Sequence, residues 1–383
     1  LTGLRARRPA MLRLLESFVR AESPTEAKSA VDRFGRMVAA EWRRRGARVT
    51  FLPQRRSGDH LRVIWPATGT RRRGQILVLG HLDTVYELGT LPNMPFRLAR
   101  GRAFGPGAFD MKGGLVIALF AADALAKAGW RPRRRVVFLW TSDEETGSAT
   151  SRAIIEREAL RSDAVLVLEP ASGLDGRLKT RRKGVGTAEL IVTGRAAHAG
   201  LNPREGVNAV HEMALQIARI ARFNNPSRGI TVSPTLAAGG TRSNVIPAAA
   251  RLVLDLRAER HSDMRALERG LKGLRPILPG AKIELRGGFS RPPLEHRSSA
   301  ALFARARKSA RALGLSLREA SAGGGSDGNF TAALGIPTLD GLGAVGEAPH
   351  SARENVVIEA FPERAALLAI LLEELSSDRD YRK

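Results

Sequence analysis

The apolar positions of this chain follow two kinds of pattern, and the pattern changes twice along its length. Near the start, Met11, Leu12, Leu14, Leu15 and Val19 recur at helical spacing, and so do Val31, Phe34, Met37, Val38 and Trp42. These runs predict two amphipathic helices within residues 8–45, with Ser23-Pro24-Thr25 as the break and N-cap between them. Strands are predicted near residues 47–53 and 60–65. Continuous apolar runs follow at 75–80, 136–140 and 164–168. Runs without alternation read as strands buried on both faces of an α/β sheet. An apolar helix is predicted over 115–128, while residues 88–109, rich in Gly and Pro, read as loop.

From about Lys183 the pattern becomes that of a half-exposed sheet. Residues 185–193 alternate, 207–223 form an amphipathic helix, 230–237 and 245–257 read as strands, 261–274 as a helix and 281–286 as a strand. The order β-α-β-β-α-β predicts a ferredoxin-like sandwich, inserted into the first domain. After about Arg291 the α/β character returns. A helix is predicted at 300–313, a Gly-rich turn at 323–328, a short helix to Leu334, a strand at 337–339, a loop holding His350, and a last helix at 358–375. The expected domains are therefore 1–182 with 292–383, and 183–291.

Candidate chemistry sits where the buried runs stop. The run 75–80 ends in His81-Leu82-Asp83, whose two polar residues share one side of an extended chain. The run 136–140 leads into Asp143-Glu144-Glu145, and the run 164–168 ends at Glu169. Ligands usually bind at such strand ends in α/β sheets. Asp110 opens the apolar helix, a place where a carboxylate is favoured in any case. With no cysteine in the chain, a metal must be held by imidazoles and carboxylates. His81, Asp110, Glu145, Glu169 and His350 are the candidate ligands of two ions that share a bridging carboxylate. Asp83 is left to bond the second nitrogen of His81. Glu144, beside a ligand but turned from it, is left as general base.

Composition narrows the picture. The 383 residues suit two domains, 43% are apolar, and no run is long enough for a membrane helix. The expected compartment is the cytoplasm, with the periplasm as the alternative if a leader precedes Leu1. The net charge is +24, spread along the chain with short clusters at Arg43–Arg45, Arg71–Arg73, Arg133–Arg135 and Arg181–Lys183. Aromatic residues are only 5%, which disfavours a stacking platform for single-stranded nucleic acid. A basic polyanion binder on a hydrolase fold remains the alternative of another class, and nucleic acid is not the expected partner.

The motifs Gly80-His81-Leu82-Asp83-Thr84-Val85, Gly105-Pro106-Gly107-Ala108-Phe109-Asp110-Met111-Lys112-Gly113-Gly114 and Asp143-Glu144-Glu145-Thr146-Gly147-Ser148 resemble the dizinc metallopeptidase superfamily of aminoacylase, acetylornithine deacetylase and carboxypeptidase G. The chain resembles the glutamate carboxypeptidase type most, over essentially its whole length. Glu169-Pro170, Arg195-Ala196-Ala197-His198-Ala199-Gly200, Ser243-Asn244-Val245-Ile246-Pro247, Gly323-Gly324-Gly325-Ser326-Asp327 and Pro349-His350-Ser351 all fall in the family's order.

The resemblance implies a zinc-peptidase-like catalytic domain with a mixed sheet flanked by helices, and an inserted dimerisation or lid domain. It implies two zinc ions per subunit, with cobalt or manganese as possible substitutes. Asp110 would bridge them, His81 and Glu169 completing one site and Glu145 and His350 the other. Glu144 would be the base and later the acid, with Asp83 orienting His81 and a cis peptide following Asp110. His198 would serve the oxyanion in the partner subunit of a homodimer. Taken alone, His198 reads as a surface or strand-end histidine. Asn244, Arg257 and the amides of Gly324 and Gly325 would meet the substrate carboxylate. The expected reaction is hydrolysis of an amide next to a free carboxylate, releasing C-terminal glutamate from a small anionic N-acyl or peptidyl substrate. A deacylase or a dipeptidase is the alternative within the same chemistry. His60, His211, His261 and His296 match no motif and read as surface or structural residues. Asp327 reads as a turn or helix-cap residue.

Overall fold

A computed structural model describes residues 1–66 and 74–377, so the Arg71–Arg73 cluster lies outside the described residues. The chain packs into two units, each with its own core. The first comprises Leu1–Arg181, His296–Ala322 and the segment from Ser326 onward. The second comprises Arg182–Glu295 with Gly323–Gly325.

The first unit is built on a six-stranded sheet in the order Arg48–Leu52, His60–Ile64, Arg135–Thr141, Gln75–His81, Ser162–Val167, Thr338–Leu339. The first two strands run antiparallel to their neighbours, and the other four are parallel to one another. The continuous apolar runs have the reason anticipated: both faces are covered. Ile76, Val78, Phe138, Trp140 and Leu166 face one core with the helices Arg8–Arg20, Lys28–Arg44, Gly113–Lys127, Ala300–Ala312 and Ala360–Ser377. Leu77, Leu79, Val137, Leu139 and Val165 face a smaller core with Ile155 and Phe330, which lie on the helices Arg152–Ala159 and Gly328–Ala333. Because the central strands are parallel, their C-terminal ends share one edge of the sheet.

Residues 88–109 are less irregular than expected. They contain the strands Arg97–Ala99 and Arg102–Phe104, which join Asn355–Val357 and Gly346–Glu347 in a four-stranded sheet. The strands are three residues long and reverse through Arg100 and Gly101, both at positive φ. Two or three residues carry too little periodicity to be seen in a sequence. Ser23-Pro24-Thr25 does not cap the following helix. Its N-cap is Ala27, without a side-chain bond. Instead the Ser23 hydroxyl donates to the Leu82 carbonyl at 2.8 Å, and Thr25 N–H and Thr84 N–H bond across the two segments.

The second unit is an antiparallel sheet in the order Thr231–Gly239, Ala249–Ala258, Gly184–Thr193, Lys282–Arg291. The helices Ala209–Ala221 and His261–Lys272 contribute Met213, Ile220, Leu267 and Leu271 to a core with Leu190, Val192, Leu252 and Leu254. In chain order the strands lie 2-3-1-4, the ferredoxin-like arrangement. The predicted strand 245–257 is broken into Val245–Ile246 and Ala249–Ala258 by Pro247, and the short piece pairs with Ala197–His198. Arg182 and Leu294 exchange both backbone hydrogen bonds at 3.0 Å, so the chain enters and leaves the unit at one place. Gly323–Gly325 packs with this unit because Arg182 donates to the carbonyls of Gly324 and Gly325 at 3.2 Å and Arg257 to that of Gly323 at 3.3 Å.

The charge clusters are partly internal. Arg45 forms ion pairs with Glu41 and Asp123, and Arg134, nearly buried, pairs with Asp163 at 2.9 Å. Among the described residues no helix is long and apolar enough to cross a membrane.

Candidate metal centre

Three parallel strands deliver their last residues to the same edge of the sheet. His81 ends Gln75–His81, Glu144 and Glu145 follow Arg135–Thr141, and Glu169 lies two residues beyond Ser162–Val167. Asp110 arrives from the turn before Gly113–Lys127, and the peptide after it is cis. Gly80 has no room for a Cβ, which would stand 2.5 Å from Met111 Cε and 2.9 Å from the Trp140 ring. That close approach lets the turn carrying Asp110 pack against the strand carrying His81.

His81, Asp110 and Glu169 form one cluster of potential ligand atoms, and Asp110, Glu145 and His350 form a second. His81 Nε2 lies 3.2 Å from Asp110 Oδ1 and 3.4 Å from Glu169 Oε1. His350 Nε2 lies 3.4 Å from Asp110 Oδ2 and 3.4 Å from Glu145 Oε2. Asp110 thus turns one oxygen to each cluster. Nitrogen and oxygen ligands at about 2.0–2.1 Å from a tetrahedral ion stand roughly 3.3 Å apart, so these edges have the right length. Among the described residues Glu145 Oε1 is buried without a hydrogen-bond partner, so its lone pairs are open to a cation. The donor set of imidazoles and carboxylates fits two divalent ions.

The electrostatics agree with that fit. Burial alone would lower the pKa of His81, but hydrogen bonds to Asp110, Asp83 and Glu169 raise it well above the usual histidine range. Asp110 and Glu145 push His350 up to about 10. Burial works against the charged form of Asp110, yet the bonds from His350 and His81 hold its carboxyl far below the ordinary value. Burial raises Glu145, which faces the Asp110 charge with only partial compensation from His350. The surrounding carboxylates thus favour the charged, protonated form of both histidines. Ligand imidazoles must give up such protons when a metal binds.

The surrounding contacts differ from expectation in one instructive respect. The His81 Nδ1 hydrogen bonds to the Asp83 backbone carbonyl at 2.9 Å, while the Asp83 carboxylate stands farther off at 3.5 Å. That carboxylate accepts from the Thr25 hydroxyl at 2.8 Å and from the Glu144 and Glu145 amides at 3.3 and 3.2 Å. Asp83 therefore orients His81 through its backbone and pins the Glu144–Glu145 turn with its side chain. The carboxylate's depressed pKa reflects, against the effect of burial, the His81 and Thr25 contacts.

Other candidates lie in the second unit. His198 is exposed, and its Nδ1 accepts from the Gly200 and Leu201 amides at 3.1 Å each. An accepting Nδ1 leaves the proton of a neutral ring on Nε2, where it faces outward as a donor. Asn244 is exposed, its backbone carbonyl bonded to the Ala199 amide at 2.9 Å. Arg257 does not present an empty fork, because Asp255 takes its Nε at 2.9 Å and one terminal nitrogen at 2.8 Å. Gly324 and Gly325 meet Arg182 through their carbonyls. Asp327 sits at the start of Gly328–Ala333 but makes no capping bond, and its carboxylate accepts from the Thr141 and Ser148 hydroxyls instead. His60 is not a surface residue. It is fully buried and bonded to Ser142 and Thr150.

Sequence reasoning missed the groups behind Asp110. Glu354, fully buried, accepts from the Phe109 and Asp110 amides at 2.8 and 2.9 Å and from the Tyr86 hydroxyl. Burial pushes its carboxyl up to about 7. Lys112, also buried, donates to the Phe18 and Ala21 carbonyls at 3.1 and 2.8 Å, and burial pushes its pKa down to about 7. The only signal in the chain was a carboxylate four residues after His350 and two before the apolar Val356-Val357.

The comparisons agree with this geometry. The model of peptidase family M20/M25/M40 matches residues 77–374. Carboxypeptidase G2 of Pseudomonas sp. (strain RS-16) is 31% identical, over 97% of this chain and 90% of its own. The aminopeptidase PepT structure from Bacillus cereus ATCC 10987 superposes with a TM-score of 0.79 at 20% identity, covering 97% of this chain and 99% of that one. A dinuclear metal-binding peptidase of the M20 family from Bacillus subtilis gives 0.68 at 14% identity, over 98% and 99%. With the family model spanning most of its length and a relative above 30% identity along nearly all of it, the chain belongs to peptidase family M20/M25/M40 and is a metallohydrolase.

Proposed function

We propose that this protein hydrolyses the amide bond next to a free carboxylate in small N-acyl or peptidyl amino acids, with C-terminal glutamate as the favoured leaving amino acid. The observation that carries the reading is Asp110, one oxygen toward His81 and Glu169 and the other toward His350 and Glu145. Two zinc ions are the proposed occupants, held by these five side chains. When bound they would supply Lewis acidity to a carbonyl and to an attacking water.

The chain's own residues then divide the work. Glu144 takes the proton of the attacking water and returns it to the leaving amine. The bond from its amide to Asp83 fixes the turn it stands on. His198, with Nδ1 occupied by two amides, offers Nε2–H to the developing oxyanion in the partner subunit of a homodimer. Asn244, the remaining donors of Arg257 and the Gly324–Gly325 turn are assigned to the substrate carboxylate. We assign the second unit to dimerisation and to closing over substrate. Its outer strand, Thr231–Gly239, is a sheet edge exposed from Ser233 onward, with Leu236 64% exposed. Such an edge is suited to pairing with a second copy.

The test is a panel of N-benzoyl-glutamate, folate, N-acetyl amino acids and simple dipeptides, assayed under zinc with and without chelator. Chelator-sensitive release of glutamate supports the reading. Turnover of only the acetylated or dipeptide substrates moves the specificity to the deacylase or dipeptidase alternative. No turnover with two ions bound rejects it.

A second reading, a polyanion-binding surface, has one specific observation in its favour. Arg97, Arg100, Arg102 and Arg353 line a cleft of roughly 820 Å³, in which Glu347 is the one acidic wall residue. Binding of duplex DNA across a salt series tests it, since a phosphate-tracking surface gives a steep salt slope.

A further inference from the structure

Glu354 is buried beside the candidate metal centre, and the reaction as proposed does not use it. Burying a carboxylate is costly unless donors surround it. Here they come from separate stretches of chain. Oε1 accepts from the amides of Phe109 and Asp110 at 2.8 and 2.9 Å. Oε2 accepts from the Tyr86 hydroxyl, which also lies 3.0 Å from the Ser351 carbonyl. The backbone carbonyl of Glu354 takes the Gly105 amide at 3.3 Å.

Each partner is close in sequence to a candidate ligand. Tyr86 follows His81 by five residues, Phe109 and Asp110 form the turn itself, and Glu354 follows His350 by four. One carboxylate therefore joins the segments carrying His81, Asp110 and His350. The turn needs such a partner. Asp110 has φ −114 and ψ 96, outside the helical region, just ahead of the helix Gly113–Lys127. The Lys112 amide finds the Gly107 carbonyl and the Ala108 amide finds that of Gly105. Of the three amides between them, those of Phe109 and Asp110 are held by Glu354.

We infer that Glu354 is a positioning residue: by holding the Phe109 and Asp110 amides it fixes the backbone of Asp110 to the His350 segment, so that each Asp110 oxygen reaches its own histidine. The inference rests on the metal-centre reading. Residues that orient ligands in this way typically change metal affinity or activity by about 10–100-fold when replaced. What does the holding is an acceptor at the right reach, so chain length outweighs charge. Glu354→Gln keeps an acceptor oxygen at the Oε1 position. Glu354→Asp keeps the charge but withdraws it by one methylene.

The experiment measures bound metal per subunit, metal affinity by chelator competition, thermal melting of the metal-free protein, and kcat and KM separately. Glu354→Gln should stay within about threefold of the parent in metal affinity, and Glu354→Asp should lose about 10–100-fold with kcat falling more than KM changes. Tyr86→Phe removes one donor and leaves both amides bonded, so it should also stay within about threefold. Parent-like affinity in a folded Glu354→Asp overturns the inference. So does a loss in Glu354→Gln or Tyr86→Phe as large as that expected for Asp, and these two variants decide the matter if Glu354→Asp does not fold. A parent protein that fails to bind two ions would overturn the metal-centre reading instead.

Discussion

The candidate metal centre in the first unit and the candidate recognition residues in the second are built in opposite ways. In the first, imidazoles and carboxylates from three strand ends, the Asp110 turn and the His350 loop stand within 3.2–3.4 Å of one another. In the second, His198 and Asn244 are exposed, Arg257 is engaged by Asp255, and Gly324 and Gly325 are bonded through their carbonyls. The first arrangement leaves Glu145 Oε1 without a hydrogen-bond partner among the described residues. In the second, His198 Nδ1 and the Arg257 fork are already engaged. A site that must be preorganised is best held by rigid elements, as the candidate ligands from the three strand ends are.

The contrast can be broken from its strong side first. Asp110→Ala removes the ligand common to both clusters, so metal content should fall for both ions and turnover should disappear, as a metal assay beside a rate measurement will show. Glu144→Gln should lower kcat by about 10²–10⁴ with two ions still bound. If metal were lost along with turnover, Glu144 would belong to the ligand set rather than to the proton transfer. On the recognition side, His198→Ala should cost about 10²–10³ in kcat, the usual worth of one oxyanion donor. Arg257→Ala should raise KM by no more than about tenfold at nearly constant kcat, because a hydrogen bond to a charge is worth about 1.5–3 kcal/mol and Asp255 already shares it.

The smallest expected effect is in the acid stability of the two units. His60 in the first has its pKa lowered by burial, with nearby carboxylates compensating only in part. Below its unfolded value of 6.5 the unfolded chain binds the extra proton, so stability falls as pH drops through that range. Glu212 in the second unit is held below its ordinary 4.5: burial opposes this, but the Gln216 side chain and the Leu278 and Ile277 amides outweigh it. Its contribution is present above 4.5 and lost only below. Thermal melts between pH 7 and 4 should show the His60 dependence first, and His60→Asn should flatten it. A profile unchanged by that substitution would remove His60 from the account.

Much of the architecture was legible because two physical signals are local. Buried parallel strands leave uninterrupted apolar runs, and polar residues abruptly ending such runs, at His81, Glu144 and Glu169, mark the functional edge of a sheet. The ferredoxin-like order was legible for the same reason, since alternation and helical spacing succeed each other within residues 184–291. What was read differently depends on contacts between distant segments. Thr25 lies 58 residues from the carboxylate it bonds, Asp327 is 179 from Ser148, and Glu354 is 245 from the Phe109 amide. Each looked like a local cap, a turn or nothing at all, because a polar side chain carries no mark of which distant donor it will meet.

By itself the chain determined its two folds, the candidate metal ligands and the exclusion of thiolate ligands, all of which follow from residue type and periodicity. Only the tertiary structure decided that the two oxygens of Asp110 divide between His81 and His350, that Asp83 holds His81 through its backbone, and that Asp255 occupies Arg257. The physical reason is that hydrogen bonding and ion pairing have a reach of about 3 Å and depend on direction. Sequence specifies which groups exist, and packing alone brings them within that reach.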